Sequence, residues 1–423
     1  MGVRLWLRAT HETSAPHLIE RSASFLSSYA HDPPLAIERI DEPGRPALAI
    51  EAHPAAQAIV LRADERSLAL DAHTATAGPG MHRFTCRLAR ELGAALGVEW
   101  AQVKDDSQYF LTKSEARLEA TVLEWLQGAA AEILGRRGEG SGGFSLAMPE
   151  GWSFEHDGLV ATPLGPRDAK WVRAVAADPR AGTDVFAWWG PAGDARYYRD
   201  LARVLMWREV RWRAPLDDGE RALLDRIATY VEKAFGLDPS LELPWPEQAE
   251  IFELLGEQSL RATRAQVKAH ARGVVADRGS DRIGYRRRPV RVMLSGGFSL
   301  EVPGELAERW DERGTWVAWD RERSIWFTSL RAQPEPGRPP PTSADTLASL
   351  PPLESQDALE LERGPILGLA AFAETEEDGK PLYRLDAHAA VGGDAAVGTI
   401  VFARPEDREW ALGVWGSIDH KSD

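Results

Sequence analysis

The chain has 423 residues and a formal net charge of −15 at pH 7, and a length of this order predicts about three domains. The acidic balance argues against nucleic acid or a membrane surface as a partner, because both attract cationic proteins. Cys86 is the only cysteine, which excludes an intrachain disulfide and fits a reducing cytoplasm. The apolar runs are short, so we expect no secretory signal and no transmembrane helix.

Residues 1–138 show the patterns of a small α+β domain. Apolar alternation between turn residues predicts strands at Val3–Leu7, Ala36–Ile40, Ala47–Glu51 and Ala58–Leu70, the last bent by a hairpin turn at residues 64–66. Apolar residues three or four positions apart predict helices at His17–Tyr29, after Gly80, and across Leu118–Ile133. We expect the last two helices to cover the sheet.

Residues 142–275 form a predicted α+β middle domain that is rich in tryptophan, and a glycine-rich stretch at 138–143 separates it from the first domain. Strands are predicted at residues 144–148 and 159–162, and helices at residues 198–205 and 223–235. Pro246 predicts the first turn of a further helix, because the N–H that proline lacks has no helical partner at that position.

The segment Trp188-Trp189-Gly190-Pro191 is the best candidate for exposed aromatic surface in the middle domain. Adjacent residues of a strand face opposite ways, so the two indoles cannot both point into one core. Tryptophan supplies a large contact area and is enriched at binding hot spots. We therefore predict that Trp188 and Trp189 bind a partner.

The pentapeptide Gly-Gly-Phe-Ser-Leu occurs at 142–146 and again at 296–300, and we interpret each copy as the start of a folded unit. The polar, Arg-rich residues 257–290 before the second copy are interpreted as a helix that runs into a solvated connector. The third domain, residues 288–423, is therefore predicted to fold on its own.

The third domain has the clearest pattern of predicted strands and helices. Strands are predicted at Val290–Leu294, Phe298–Val302, Trp316–Trp319, Ile325–Leu330, Ala358–Leu361, Ile366–Glu374, Leu382–Val391 and Ala396–Phe402, with helices at Ser343–Leu350 and Glu406–Ile418. The strands Trp316–Trp319 and Ile325–Leu330 flank Asp320–Arg323 as a predicted hairpin. If Trp319 pairs with Ser324 across it, strand alternation divides the side chains between two faces. One face carries Trp316, Ile325 and Phe327, and the other carries Val317, Trp319 and Trp326. Both faces are apolar, and we predict that the second face binds a partner.

Part of this domain carries a family resemblance. The residues concerned are 297–303 at the opening, the hairpin through Ile325-Trp326-Phe327, Gly368, the turn Asp378-Gly379, and the closing 400–405 that leads into Trp410, Trp415 and Ile418. They resemble the PsbP-like and DcrB-like superfamily, which implies an α/β/α sandwich on an antiparallel sheet. The Gly-Trp pair that often follows the opening proline is missing here and occurs only in the middle domain, as Gly151-Trp152.

The resemblance also implies a class of function. Members of this superfamily generally bind protein partners and share no catalytic residues. One branch looks like the cytoplasmic chaperones that hold apolar segments of toxins exported by the bacterial type VI secretion system. A partner of the present chain is then expected to be another protein, such as an apolar segment of a secreted toxin.

Two groups of residues could carry chemistry instead. His73, His82 and Cys86 are zinc-ligand types, with the last two at i, i+4 spacing, but no fourth ligand is evident, so we expect no metal site. Asp105 and Asp106 are adjacent carboxylates, which are more typical of a turn or cap than of acid–base catalysis. Motifs for phosphate loops, serine hydrolases and zinc proteases do not occur in the sequence, and we expect no cofactor.

The sequence thus predicts a cytoplasmic, non-enzymatic α+β protein of three units. It is expected to bind another protein as an adaptor, chaperone or immunity-type partner in a bacterial toxin or secretion system. The alternative left open is a hydrolase-like enzyme with a site in the first or second domain. Convergence of His73, His82, Asp105 and Asp106 on one pocket would favour that alternative.

Overall fold

The computed structural model describes residues 3–42, 45–136, 144–148, 154, 159–256, 282–331, 339–353, 358–377 and 379–421. The chain divides into two compact units. The first contains Met1–Val210 and Gly219–Gly284, and the second contains Arg211–Asp218 and Tyr285–Asp423. Both units combine helices with antiparallel sheet, which confirms the predicted α+β class.

The first unit is built on a six-stranded antiparallel sheet of order β2-β3-β4-β5-β1-β6. Its strands are β1 (Arg4–Thr10), β2 (Ala36–Glu42), β3 (Arg45–Glu51), β4 (Ile59–Ala63), β5 (Ser67–His73) and β6 (Trp100–Asp105). The predicted hairpin joins β4 to β5, and the Asp64 carboxylate caps it by accepting the N–H groups of Arg66 and Ser67. Strand β6 was not predicted, and it lies at the edge beside β1.

Eight helices of the described chain surround or follow this sheet. They are α1 (Ala15–Ser27), α2 (Pro79–Leu96), α3 (Tyr109–Thr112), α4 (Glu115–Arg136), α5 (Ala169–Ala177), α6 (Ala195–Arg208), α7 (Asp218–Leu237) and α8 (Trp245–Leu255). A two-residue parallel pair, β7 (Phe144–Ser145) and β8 (Val160–Ala161), stands where strands were predicted. Pro246 lies in the first turn of α8, as its missing N–H predicts.

The segments 1–138 and 142–275 share one hydrophobic cluster. Helix α4 packs against α5, and the cluster joins Val3 and Leu118 to Val160 and Val175. These buried side chains come from both segments, which accordingly lie in the same compact unit. The division of this part of the chain into two domains stays a prediction.

The second unit contains a seven-stranded and a three-stranded antiparallel sheet, of orders β11-β12-β13-β17-β16-β15-β14 and β18-β10-β9. The strands are β9 (Val290–Met293), β10 (Phe298–Val302), β11 (Ala307–Trp310), β12 (Trp316–Trp319), β13 (Arg323–Arg331), β14 (Leu359–Arg363), β15 (Ile366–Glu377), β16 (Lys380–Val391), β17 (Asp394–Phe402) and β18 (Asp419–His420). The helices are α9 (Ser343–Ser349) and α10 (Arg408–Gly416), and both pack on the larger sheet. Only β11 and β18 were not predicted.

The central hairpin has the register on which the assignment of the two faces depends. Trp319 lies opposite Ser324 in the β12–β13 ladder, and Val317 lies opposite Trp326. Residues that face each other across an antiparallel pair share a side of the sheet. The inner face therefore carries Trp316, Ile325 and Phe327, all buried, and the outer face carries Val317, Trp319 and Trp326.

The inner face is covered from two directions. The Phe298 ring of β10 contacts Phe327 with centroids 6.1 Å apart. Helix α10 places Trp415 against Gly368, where an added Cβ would lie 2.7 Å from the indole. Such a distance leaves no room for a side chain at position 368, so the glycine permits close packing of helix on sheet.

Several sequence predictions lie wholly or partly outside the described residues. They concern the glycine-rich stretch 138–143 with the first two residues of the first pentapeptide copy, the pair Gly151-Trp152, residues 257–281 of the connector, and Asp378 of a predicted turn. The second pentapeptide copy is described. Its Gly296 and Gly297 have φ angles of 70° and 78°, a region that favours glycine, and they turn the chain into β10.

Candidate functional site

A buried polar cluster surrounds His82 on helix α2. The imidazole is 0 % exposed. Its Nδ1 lies 2.8 Å from Oγ1 of Thr74, and its Nε2 lies 3.0 Å from Oγ of Ser107 and 3.2 Å from Oδ1 of Asp105. Helix α2 brings His82, the end of β5 brings Thr74, and the end of β6 brings Asp105 and Ser107 to the same buried position.

The Asp105 carboxylate is the acceptor at the centre of this cluster. Its Oδ1 accepts the N–H and hydroxyl of Ser107, and its Oδ2 accepts the N–H of Phe110. Burial acts to raise the pKa of Asp105, but the bonds from His82, Phe110 and Ser107 outweigh it and lower the pKa to about 2. The carboxylate is therefore ionised and holds the turn between β6 and α3.

Cys86 joins the cluster from the next turn of α2. The sulfur of Cys86, a ring nitrogen of His82 and a carboxylate oxygen of Asp105 all lie within 4.8 Å of one another. Burial, with Asp105 as a smaller cause, raises the pKa of the thiol well above its usual range. The neutral thiol is thus not a reactive nucleophile.

The structure brings together only part of the set considered in the sequence. His82, Cys86 and Asp105 meet, whereas Asp106 is exposed and accepts the N–H of Arg4 at 2.9 Å. His73 is likewise exposed, at the end of β5. Sequence reasoning did not identify Thr74 and Ser107, since isolated hydroxyl residues carry no spacing signal and the strand before Ser107 was not predicted.

The cluster does not have the geometry of a serine hydrolase triad. In a triad the carboxylate orients the histidine through one ring nitrogen while the serine uses the other. Here Asp105 and Ser107 both face Nε2, and Thr74 holds Nδ1. Ser107 is also 0 % exposed, so its hydroxyl is closed to a substrate in this conformation.

The outer face of the seven-stranded sheet offers a more accessible surface. Trp326 and Leu330 lie four residues apart on β13 and are 44 % and 51 % exposed. Their neighbours on β17 are partly exposed and of mixed apolar and hydroxyl character: Val397, Thr399 and Val401. We call these five residues together the outer-face patch.

The other predicted residues of this face differ in accessibility. Val317 is buried, at 4 % exposure. Trp319 is partly exposed, with the guanidinium of Arg309 5.4 Å from the centre of its indole ring. Trp326 is therefore the predicted binding residue with the most free surface on this sheet.

Exposed large apolar side chains are concentrated in the second unit. Of the seven such residues in the described chain, five belong to that unit: Met293, Trp310, Trp326, Leu330 and Leu359. Single exposed apolar residues are ordinary, and only contiguous ones mark an interaction surface; Trp326 and Leu330 are the two of these five that share one face of one strand.

Trp188 is not available to a partner, contrary to the prediction. Its indole is 2 % exposed and packs between Phe84 and Tyr197, with ring centroids 5.5 Å and 5.1 Å away. The indole fills the space that a Cβ at position 80 would need, so this position accommodates glycine. The N–H of Gly80 donates to the Trp188 carbonyl. Long-range packing against α2 and α6 buries this side chain.

Trp189 is partly exposed. It lines a groove together with basic side chains from α2 and from the turn after α3, namely Arg83, Arg87, Arg90 and Lys113. Arg83 donates to the Trp189 carbonyl and forms an ion pair of 2.7 Å with Glu115. The role of Trp189 in binding stays a prediction.

Comparisons with known proteins leave the family open. A scan against family models finds no match for this sequence, and a search of curated proteins finds none either. One similar solved structure, a crystal structure from Bacteroides thetaiotaomicron, is 11% identical with a TM-score of 0.26. The similar region covers 31% of this chain and 48% of that chain, and a likeness this weak carries no inference. In the described part of the chain, no helix is long and apolar enough to cross a membrane.

Proposed function

We propose that this chain is a cytoplasmic protein-binding protein, an adaptor, chaperone or immunity-type partner in a bacterial toxin or secretion system. The observation that carries the proposal is the outer-face patch, with exposed Trp326 and Leu330 on one side of an otherwise well-packed sheet. The occupant we propose is an apolar segment of the partner.

The spacing within the patch suits an extended or helical segment. A strand rises about 3.3 Å per residue, so Trp326 and Leu330 lie roughly 13 Å apart on the same face. Thr328 stands between them and bonds to Thr315 at 3.1 Å, which keeps its hydroxyl satisfied beside the apolar side chains. An indole with free area next to half-buried valines is typical of a binding anchor.

The elements that pack on the inner face of the seven-stranded sheet support the choice of the outer face as the binding surface. Gly368 and Phe327 lie on the same side of the sheet, where α10 and β10 already pack. In the described structure, neither helix of the second unit packs extensively on β12 or β13, and Trp326 on the outer side of β13 is 44 % exposed. The resemblance to the PsbP-like and DcrB-like superfamily, whose members bind proteins, supports the same class of function.

The experiment compares three tryptophan variants of the full chain in pull-downs from the native host. Trp326→Ala is expected to weaken capture of the partner by at least about 30-fold, which corresponds to about 2 kcal/mol for an anchor. Trp310→Ala is the matched control, since Trp310 is 48 % exposed but lies opposite Trp316 on the other face. A partner retained equally by both variants would contradict this site.

The third variant, Trp316→Ala, reports what loss of the fold alone does to capture, because Trp316 is 1 % exposed. Photo-crosslinking from position 326 then identifies the partner segment. A crosslinked segment that is apolar supports the proposed occupant, and a charged segment contradicts it.

A further inference from the structure

The cluster at His82, Cys86 and Asp105 has the composition and geometry of a metal site. Two of the three side chains, His82 and Cys86, lie one helical turn apart on the buried side of α2, and Asp105 reaches them from the end of β6. Their ligand atoms lie within 4.8 Å of one another. Imidazole, thiolate and carboxylate are the three ligand types that zinc takes in proteins.

The distances require little rearrangement. Around tetrahedral zinc, with bonds of about 2.0–2.3 Å, neighbouring ligand atoms are roughly 3–4 Å apart. His82 Nε2 and Asp105 Oδ1 are already separated by 3.2 Å. Ser107 Oγ lies 3.0 Å from the same nitrogen and supplies a neutral oxygen as the fourth donor.

Thr74 orients the His82 ring as a metal ligand requires. Thr74 donates its hydroxyl to the carbonyl of Val3 at 3.1 Å, so its oxygen can accept Nδ1–H of His82. In that tautomer Nε2 has a lone pair for the ion, and the ion replaces the hydrogen bond that Nε2 donates to Asp105 in its absence. Metal-binding histidines are commonly fixed in this way, through a hydrogen bond from the nitrogen that does not bind the ion.

Charge balance favours a divalent ion at this position. The Asp105 carboxylate is 2 % exposed, and the His82 side chain beside it is 0 % exposed. A buried charge is costly unless it is compensated. A divalent ion with one carboxylate, one thiolate and one neutral imidazole has no net charge.

We propose that His82, Cys86 and Asp105, with Ser107 as the fourth donor, bind a divalent transition metal ion, zinc in the first place. The site is closed to solvent, since His82, Cys86 and Ser107 are 0 % exposed, and the Tyr109 ring packs edge-on with the His82 ring at a centroid distance of 6.2 Å. Closed four-ligand sites are structural rather than catalytic. The ion joins α2 to the turn between β6 and α3.

The test uses Co²⁺ as a spectroscopic probe of the full chain, after metal has been removed with a chelator. Because Cys86 is the only cysteine, a thiolate-to-cobalt charge-transfer band in the near ultraviolet reports this site alone. We expect the band to saturate at one Co²⁺ per chain, to disappear when Zn²⁺ is added, and to be absent in Cys86→Ala.

His73→Ala is the matched control, since His73 is exposed and outside the cluster; this variant keeps the band. Thermal unfolding gives a second readout, because an ion that binds only the folded chain raises Tm. Zn²⁺ is expected to raise the Tm of the metal-free wild type and of His73→Ala by several degrees, and not that of Cys86→Ala. A correctly folded wild type with no charge-transfer band and no Zn²⁺-dependent Tm overturns the proposal.

Discussion

The indole of Trp415 occupies the space that a side chain at Gly368 would need, with Cζ2 only 2.7 Å from the position of a Cβ. A glycine in the interior of a strand otherwise weakens it, because it has no side chain to pack. The contact with Trp415 explains why a glycine occupies position 368 of this strand. Helix α10 approaches the inner face of the sheet at this point.

Gly368→Ala is therefore expected to lower the free energy of unfolding by about 1–3 kcal/mol through overpacking. Gly413→Ala in α10 is the control, since an added Cβ there meets nothing within 4 Å. Alanine in a helix is more favourable than glycine by about 1 kcal/mol, so this variant should be as stable as the wild type or more so. Urea unfolding of the two variants measures both values. A Gly368→Ala variant as stable as the wild type would show that α10 can move away from the sheet to make room for the added methyl group.

The two faces of β12 and β13 predict opposite results for two tryptophans. Trp316 is 1 % exposed and Trp326 is 44 % exposed. Trp316→Ala should cost about 3–5 kcal/mol, as for other buried aromatic residues, whereas Trp326→Ala should change stability by about 0.5 kcal/mol. Calorimetry of the full chain compares the two Tm values. A large drop for Trp326→Ala would place this indole in the core and remove it from the outer-face patch.

The lowered pKa of Asp105 predicts a dependence of stability on pH. Its pKa is about 2 in the folded chain, against about 3.9 for an unfolded chain. A carboxyl group with a depressed pKa stabilises the fold above about pH 4, and this contribution is lost as the pH falls toward 2. A shift of this size corresponds to on the order of 2 kcal/mol.

Asp105→Asn should therefore be less stable than the wild type at pH 7, and the difference should shrink as the pH falls from 4 to 2. Asp106→Asn is the control, because its amide oxygen can still accept the N–H of Arg4. Urea unfolding with a chelator present, at pH 7, 4 and 3, measures both differences. A gap between Asp105→Asn and the wild type that does not vary with pH would refute this account.

Residues 285–423 are expected to fold without the rest of the chain. Their core is closed by the fully buried side chains of Phe298, Trp316 and Phe402. The segment Arg211–Asp218 belongs to the same compact unit, and Arg213 donates to the carbonyl of Glu305 at 2.8 Å. The isolated fragment should show a cooperative thermal transition, at a lower Tm than a version with this segment fused to it. Absence of any cooperative transition would show that the boundary is misplaced.

Local patterns determined much of the second unit. Strand alternation and the turn at Asp320–Arg323 predicted the hairpin, and its two faces follow from the pairing of Trp319 with Ser324, because the pleat has a period of two residues wherever a strand forms. The position of Pro246 in the first turn of α8 followed from the chemistry of one residue. Such features depend on neighbours along the chain.

Tertiary structure decided which of these side chains are exposed and which polar groups meet. The burial of Trp188 depends on Phe84 and Tyr197, and alternation within its own segment contains no information about either. Ser107 reaches His82 across 25 positions of sequence because β5 and β6 both run antiparallel to β1 and end at the same edge of the sheet. Contacts of this kind arise from the packing of distant elements, so they were visible only in the folded chain.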